Sequence, residues 1–219
     1  MMAVSYSRWT THKQCGLKYR FQYVDKIAVD RGEPSPALER GNRLHDNAEN
    51  YVLGNCEIDP DLAHVAQRLF FMKENFDCSP EQSWGFDWEQ NALDFDDESA
   101  ELRGLWDLLV KHKESGGPPS IFEYKTGKVY DDHKHQRHLY GLAALIHFPE
   151  VPHVEVITLY FDQKKEHSET FTREQVPAML AEWKSRVEMM NLDGTWIPNP
   201  SWLCRYCDFS KDNGGPCRF

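Results

Sequence analysis

The sequence predicts a domain of mixed α and β structure, either α/β or α+β, and three observations lead to this prediction. Runs with helical spacing of apolar residues dominate the first 80 residues. Short aromatic segments separated by turn residues follow from Ser83 onward and are typical of strands. One further helical run interrupts these strands, and another follows them before a cysteine-rich tail. This order favours a small sheet with one interposed helix and further helices at both ends.

The composition indicates a folded protein in a reducing compartment. The chain has 219 residues, of which 40% are hydrophobic and 13% aromatic, enough to build a core. It contains no apolar run of the roughly 20 residues that a membrane span needs, and its start lacks the apolar stretch of a secretory signal. We therefore expect a cytoplasmic protein with no membrane partner, whose six cysteines are thiols or metal ligands. The net charge of -10 argues against coating nucleic acid through bulk charge, but it is compatible with a local basic groove.

Two helices are predicted in the first third of the chain, after a basic and aromatic N-terminal stretch. The run ALERGNRLHDNAENYVL has apolar residues at helical spacing, and a second helical run extends from Asp61 to Phe76. A loop containing glycine and proline, Arg31 to Pro36, precedes the first of these helices.

Three aromatic segments are predicted to be strands: WGFDWEQNALDF, ELRGLWDLLVKHK and SIFEYKTGK. The residues Ser115 to Pro119 are predicted to interrupt the chain between the second and third of these strands. The run HQRHLYGLAALIHF returns to helical spacing, and VEVITLYFDQ and HSETFTR form another predicted strand pair. A helix from Glu174 to about Met190 follows, and the tail after it has no periodicity.

Two acids and a lysine fall on neighbouring predicted strands. Asp107 lies between apolar residues that predict a central, buried strand, and a buried carboxylate needs a partner, a cation or a raised pKa. Glu123 and Lys125 project from the same face of the next strand, while Tyr124 faces the other way. Oxygen ligands of this kind suit Mg²⁺ or Mn²⁺. Taken alone, the Glu–Lys spacing is also compatible with an ordinary surface ion pair.

Polar residues at four-residue spacing on two predicted helices favour a functional site. Gly41, His45 and Glu49 share one face of the first long helix. Gln136 and Tyr140 have the same spacing on the helix that follows the Glu123 strand.

These motifs and their order resemble the PD-(D/E)XK nucleases, and more narrowly their RecB-like exonuclease branch, which includes CRISPR-adaptation nucleases and small phage exonucleases. The chain carries G-x3-H-x3-E from Gly41, G-x2-D from Gly104, E-Y-K-T-G from Glu123 and Q-x3-Y from Gln136, each on the expected type of element. The acid of the E-x-K motif is Glu123 where many members carry Asp, and the family accepts either.

The resemblance implies a restriction-endonuclease-like core, a small mixed sheet flanked by helices, with N-terminal helices and a cysteine-ligated C-terminal tail. One nuclease domain would span residues 1–219. It would comprise an N-terminal helical part over 1–80, a catalytic sheet core over 81–173 and a metal-binding tail over 195–219.

The resemblance also implies roles for individual residues. His45, Asp107 and Glu123 would bind the metal, together with the carbonyl of Tyr124. Lys125 would orient or polarise the attacking water. Gln136 and Tyr140 would position the lysine and the DNA backbone. Two possibilities for Glu49 are left open: its carboxylate would either support His45 or be solvated.

Four cysteines are candidate ligands for a second metal site. Cys204 and Cys207 form C-x2-C, for which zinc is the default, and Cys217 follows. In the RecB-like branch, some members hold a [4Fe–4S] cluster with one N-terminal and three C-terminal cysteines, and Cys15 with the other three reproduces that layout. The resemblance therefore implies an iron–sulfur cluster, with zinc and free thiols as alternatives. Cys56 and Cys78 have no matching spacing and are expected to be unligated.

Basic residues near aromatic ones are candidate DNA contacts, because basic side chains bind phosphates and aromatic rings stack on unpaired bases. Nothing resembles a helix that reads base sequence, so little sequence specificity is expected. The candidate residues are Arg8, Lys13, Lys18, Arg20, Lys128 and Arg137.

The function expected from the residues and the resemblance is metal-dependent hydrolysis of DNA. The protein would be an exonuclease on single-stranded DNA or DNA ends, in recombination, repair or DNA processing, and in the host cytoplasm if a phage encodes it. One alternative is a CRISPR-adaptation nuclease within a complex. A partner protein in a nuclease complex and a homo-oligomer are therefore both compatible with the sequence. Another is a non-catalytic DNA-binding scaffold.

Overall fold

A six-stranded mixed sheet organises most of the chain in the computed structural model, which describes residues 3–29, 33–113 and 117–219. The strand order is β2-β1-β3-β4-β5-β6, and only β4 and β5 are parallel. The strands are β1 (Phe76–Phe86), β2 (Ala92–Leu93), β3 (Leu102–His112), β4 (Ser120–Lys125), β5 (His153–Tyr160) and β6 (Lys165–Thr172). The prediction of a small mixed sheet flanked by helices is confirmed.

Six α-helices accompany the sheet among the described residues. They are α1 (Tyr6–Gln14), α2 (Gly16–Tyr19), α3 (Pro36–Val52), α4 (Ala66–Asn75), α5 (His133–His147) and α6 (Val176–Leu192). The long helices lie where the spacing of apolar residues predicts them. The predicted loops Arg31 to Pro36 and Ser115 to Pro119 fall partly outside the described residues. None of the helices in the described ranges has the length and apolarity that crossing a membrane requires.

The chain forms two compact units. The sheet unit includes Pro36–Glu182, and the terminal unit comprises Val4–Ser35 and Trp183–Phe219. The core of the sheet unit lies between the sheet and helices α3 and α4. Its helical side consists of Leu44, Ala48, Val52, Leu62, Leu69 and Met72, and its strand side includes Leu108, Val110, Phe122, Tyr124, Ile157 and Leu159. Full burial of each such side chain stabilises the fold by about 1.5–3 kcal/mol, which anchors α3 against the strands.

A layer of aromatic side chains connects β1 and β3 with α5. The Trp84 and Trp106 rings are tilted against each other with centroids 6.0 Å apart, and Tyr140 of α5 meets Trp84 edge-on at 6.0 Å. Gly104 lies opposite Trp84 in the β1–β3 ladder. A Cβ atom on Gly104 would lie 2.4 Å from Cζ2 of the buried Trp84 ring. This packing gives a physical reason for the glycine of the G-x2-D motif.

We expect Gly104→Ala to destabilise the protein by about 1–3 kcal/mol, because the Trp84 ring must shift within a packed core. Urea unfolding followed by circular dichroism measures the change. Gly194→Ala is the matched control, since a Cβ there meets nothing within 4 Å, and it should leave the unfolding midpoint nearly unchanged. Equal midpoints for the two variants would contradict the packing argument.

In the terminal unit, contacts between its two segments hold the N-terminal helix in place. The Trp9 ring meets Trp183 edge-on at 5.3 Å, and the Arg186 guanidinium lies over both rings. His12 Nε2 is 2.8 Å from an oxygen of Asp193. Tyr19 is buried and stacks on Trp196 at 5.6 Å. Aromatic packing and one His–Asp contact therefore tie residues near the two ends of the chain to each other.

Candidate active site

Two carboxylates face each other where the pairing of β3 and β4 stops. The last paired residues at this end are Leu108 and Phe122, so Asp107 and Glu123 are the next residues across the two strands. Instead of continuing the ladder, the backbone N–H of Tyr124 donates to Asp107 Oδ2 at 2.6 Å. The ladder therefore stops where the two acids stand opposite each other.

Glu123 is held by two donors on one of its oxygens. Its Oε1 accepts hydrogen bonds from Lys125 Nζ at 2.5 Å and from Gln136 Nε2 at 2.8 Å. Gln136 also donates to the hydroxyl of Tyr140 at 3.0 Å. The other oxygen, Oε2, is buried and has no hydrogen-bond partner among the described residues. A buried, unpartnered carboxylate oxygen is costly unless a further ligand satisfies it.

His45 reaches the same place from α3. Its Nδ1 is 3.7 Å from Asp107 Oδ2, and its ring meets Tyr124 edge-on at 5.7 Å. Burial lowers the pKa of His45, although the neighbouring Glu123 opposes this. The neutral imidazole is the form that binds metals.

The charges of the site favour a cation. Burial, and then the like charge of Glu123, raise the pKa of Asp107 well above its ordinary value. The pKa of Lys125 is raised by Glu123 and Asp107 in spite of burial, so the lysine stays charged. The donor set, two carboxylates and an imidazole, fits a divalent cation such as Mg²⁺ or Mn²⁺. As the side chains stand, no three His, Cys, Asp or Glu residues of the described ranges are close enough to hold one ion.

Glu81 is a site residue that the sequence analysis missed. The pairs Pro80–Leu108 and Gln82–Trp106 place it opposite Asp107, so three carboxylates lie in a row across β1, β3 and β4. Glu81 has a φ of 48°, which is uncommon for a residue other than glycine. It lines a cavity together with His45 and Glu49. Only the register of β1 against β3 identifies it, and the polar sequence around Pro80 gives no strand signal.

Glu49 forms a second acidic pair with Glu81. Burial and the neighbouring Glu81 raise the pKa of Glu49 to about 7 from an ordinary value of 4.5. The folded state therefore favours the protonated form of Glu49. The stabilisation that this form provides is complete below about pH 4.5 and is lost as the pH rises through about 7.

We expect the melting temperature, measured without divalent cations, to fall between about pH 5 and about pH 8, and to fall less in Glu49→Gln. The amide keeps the neutral side chain at every pH. Differential scanning fluorimetry across this range checks the slope, and the exposed Glu57→Gln serves as the control with the wild-type slope. Parallel curves for wild type and Glu49→Gln would refute the assignment of this pH dependence to Glu49.

Comparison with known protein families identifies the fold of this site. A sequence profile of the PD-(D/E)XK nuclease superfamily matches residues 3–82 and 61–211. The chain belongs to the PD-(D/E)XK nuclease superfamily. Membership supports a nuclease, and nucleases of this superfamily generally use Mg²⁺ or Mn²⁺ and act on DNA.

Solved structures resemble this PD-(D/E)XK nuclease in fold. The crystal structure of a protein named SSO0001 has a TM-score of 0.50 at 16% identity, covering 99% of this chain and 87% of that one. A candidate exonuclease from Eubacterium rectale has a TM-score of 0.50 at 12% identity, covering 94% of this chain and 86% of that one. At these identities the likeness supports the fold alone. A search of curated proteins found no match.

Within the terminal unit of this PD-(D/E)XK nuclease, four cysteines line one cavity. They are Cys15, Cys204, Cys207 and Cys217. Backbone N–H groups of Lys18 and Asn199 donate to the sulfur of Cys15, each at 3.5 Å, and that of Ser201 donates to Cys204 at 3.4 Å. Four thiols around a common space, with amide donors on two of the sulfurs, fit a thiolate-bound group.

The remaining cysteines do not line that cavity. Cys56 is exposed beside Asn47 in the sheet unit. Burial raises the pKa of Cys78 to about 11, which keeps it a thiol.

The predicted DNA contacts differ in how their charges are engaged. Arg20 pairs with Asp25 at 2.9 Å, and Arg137 pairs with Glu169 at 3.2 Å. Arg8 bonds the Tyr19 hydroxyl at 3.2 Å, and Lys18 contacts Gln14 at 3.5 Å. Lys13, over the Trp9 ring, and Lys128 are exposed. For Lys128, exposure leaves the ammonium accessible to a phosphate.

Proposed function

We propose that this PD-(D/E)XK nuclease hydrolyses DNA with a divalent cation, acting as an exonuclease on single-stranded DNA or DNA ends. The observation that carries the proposal is the opposition of Asp107 and Glu123 at the end of the β3–β4 pairing, with Lys125 bonded to Glu123 and His45 beside Asp107. The role would be in recombination, repair or DNA processing.

Asp107, Glu123 and His45, with the Tyr124 carbonyl, would hold Mg²⁺ or Mn²⁺. The unpartnered Oε2 of Glu123 and the raised pKa of Asp107 both support a cation here. When bound, such an ion activates a water for attack on phosphorus and offsets the charge of the leaving oxygen. The expected products carry 5′-phosphate and 3′-hydroxyl ends.

The other residues of the site orient groups and supply charge. Lys125 keeps an ammonium beside Glu123, where it can donate to an attacking water. Gln136 contacts the acid rather than the lysine, so it fixes the rotamer of Glu123. Tyr140 accepts from Gln136 and holds it in place.

The four-cysteine cavity is proposed to hold a [4Fe–4S] cluster, with zinc as the alternative. Both groups are bound by thiolates, and the four cysteines that line this cavity could supply them. The cluster is preferred because Cys15 with the three C-terminal cysteines reproduces the layout of the RecB-like members that hold one. Brown, anaerobically purified protein would support the cluster, whereas colourless protein with one zinc per chain would support zinc.

Digestion of single-stranded DNA tests both whether the protein cleaves DNA and whether it needs a DNA end. With Mn²⁺, we expect a linear end-labelled strand to be degraded and a circular strand to persist, because an exonuclease cannot begin without an end. Degradation of the circle would establish an endonuclease instead. A wild-type protein that binds DNA but never cuts it with any divalent ion would favour the scaffold alternative. Activity only with a co-purifying protein would favour the complex-bound CRISPR-adaptation alternative.

A further inference from the structure

The charge of this chain is divided very unequally between its two units. The terminal unit contains eleven Lys and Arg residues and seven Asp and Glu residues. The rest of the chain contains fourteen basic and twenty-eight acidic residues. The net charge is therefore positive in the terminal unit, although the whole chain has a net charge of -10. A positively charged unit in an acidic protein is where a polyanion is expected to bind.

The terminal unit also exposes two large aromatic side chains next to an arginine. Trp202 is 65% exposed and Tyr206 is 68% exposed. They lie on one short 3₁₀ helix, Trp202–Tyr206, with their ring centroids 6.1 Å apart. The Arg205 guanidinium lies 5.9 Å from the centre of the Trp202 ring and 5.7 Å from that of Tyr206.

This short helix is held in a fixed conformation from both ends. The Ser201 hydroxyl accepts from the N–H of Leu203 at 3.3 Å, and Arg205 Nε donates to the Trp202 carbonyl at 3.1 Å. The Asn213 amide donates to the carbonyls of Arg205 and Cys207 at 3.2 and 3.0 Å. The rings are thus presented by an ordered backbone, which lowers the entropic cost of binding a ligand on them.

We propose that Trp202, Arg205 and Tyr206 form a stacking site for unpaired nucleotides of single-stranded DNA. The inference rests on the proposed function for the identity of the polymer. Aromatic faces stack on any base that is not paired, and the guanidinium complements the phosphate backbone. A blunt duplex keeps its bases stacked inside and offers only its phosphates. The site therefore prefers single strands and reads no base sequence.

Fluorescence anisotropy with a labelled oligothymidylate, in buffer without divalent cations, tests the site separately from cleavage. We expect Trp202→Ala and Tyr206→Ala each to weaken binding about tenfold, since each change removes one aromatic face on which a base stacks. Affinity for a blunt duplex of the same length should change much less. Phe70→Ala is the matched control: Phe70 is 52% exposed, but it belongs to the acidic sheet unit, and its loss should leave the affinity unchanged.

The double variant Trp202→Ala/Tyr206→Ala decides the proposal if it melts like the wild type. The proposal is overturned if this variant binds the oligothymidylate with wild-type affinity. It is also overturned if the variant loses affinity equally for the single strand and for the duplex. If the double variant is unfolded, Trp202→Phe is used instead. Part of the tryptophan quenching on DNA binding should then disappear, and unchanged quenching overturns the proposal. A changed oligomeric state at constant DNA affinity also overturns it, since the aromatic residues would then contact another protein chain.

The outcomes for the stacking site and for the nuclease are distinguishable. A wild type that binds the strand through Trp202 but never cleaves it refutes the nuclease and supports the site. A wild type that cleaves DNA, with variants that bind normally, refutes the site and supports the nuclease.

Discussion

Lys125→Ala is expected to slow DNA cleavage by roughly 10³-fold while leaving DNA affinity unchanged. The ammonium lies 2.5 Å from Glu123 Oε1, so its removal takes away the cationic donor beside the proposed water. It also removes one of the two donors on Glu123 Oε1 and leaves the other, Gln136 Nε2, at 2.8 Å. Initial rates on an end-labelled strand with Mn²⁺, together with anisotropy in the absence of metal, separate the chemical step from binding.

Lys111→Ala is the matched control for this change. Lys111 is an exposed lysine of β3, the strand that also carries Asp107, and its removal changes the net charge by the same amount. Its cleavage rate should equal that of the wild type. If Lys125→Ala cleaves DNA as fast as Lys111→Ala, the assigned role of Lys125 is refuted.

Cys204→Ser is expected to abolish the visible absorption of the anaerobically purified protein and to lower its melting temperature sharply. Structural metal sites contribute about 10 kcal/mol or more to the folding of small domains that depend on them. The hydroxyl is a poor ligand for iron, so the cavity would lose its bound group. Absorption spectra, iron and zinc analysis and thermal melting measure the three consequences without relying on cleavage.

Cys56→Ser provides the comparison, because Cys56 is exposed in the sheet unit and lies outside the four-cysteine cavity. It should keep the colour, metal content and melting temperature of the wild type. Full retention of iron and stability in Cys204→Ser would remove Cys204 from the ligand set. Stoichiometric zinc lost only from Cys204→Ser would assign the cavity to zinc.

The helices around the site could be predicted from sequence because their buried residues recur at regular helical spacing. Leu44 and Ala48 of α3 are fully buried, and their spacing is the one that places side chains on a single helical face. Helix α5 buries Gln136, Leu139, Tyr140 and Ala143, which recur at the same three- and four-residue spacing. Such patterns are local, so no knowledge of the partner strands is needed.

Strand β1 shows where local patterns fail. Sequence patterns indicate a strand only from Ser83, whereas the strand begins at Phe76. Pro80 interrupts the pattern, and it is tolerated because β2 pairs only with the far end of β1, at Gly85 and Phe86. The pairing with β3 creates the strand, and that pairing is a non-local interaction.

The site residues also divide into those that local spacing predicts and one that depends on non-local strand pairing. Asp107, Glu123 and Lys125 belong to spacings that can be read within one or two segments. Glu81 enters the site only because its strand is in register with β3, opposite Asp107. Its surroundings in the chain resemble an ordinary polar loop. A carboxylate that enters a site only through strand register therefore cannot be predicted from short sequence motifs.

The parallel pairing of β4 with β5 has a consequence for how this centre is assembled. Parallel neighbours need a crossover, which here is α5, so Glu123, Lys125, Gln136 and Tyr140 all lie on one continuous β-α-β segment. Asp107 and His45 come from outside it. The acid–lysine–glutamine cluster thus comes from one piece of chain, whereas the other two proposed ligand side chains, those of His45 and Asp107, are added from α3 and β3.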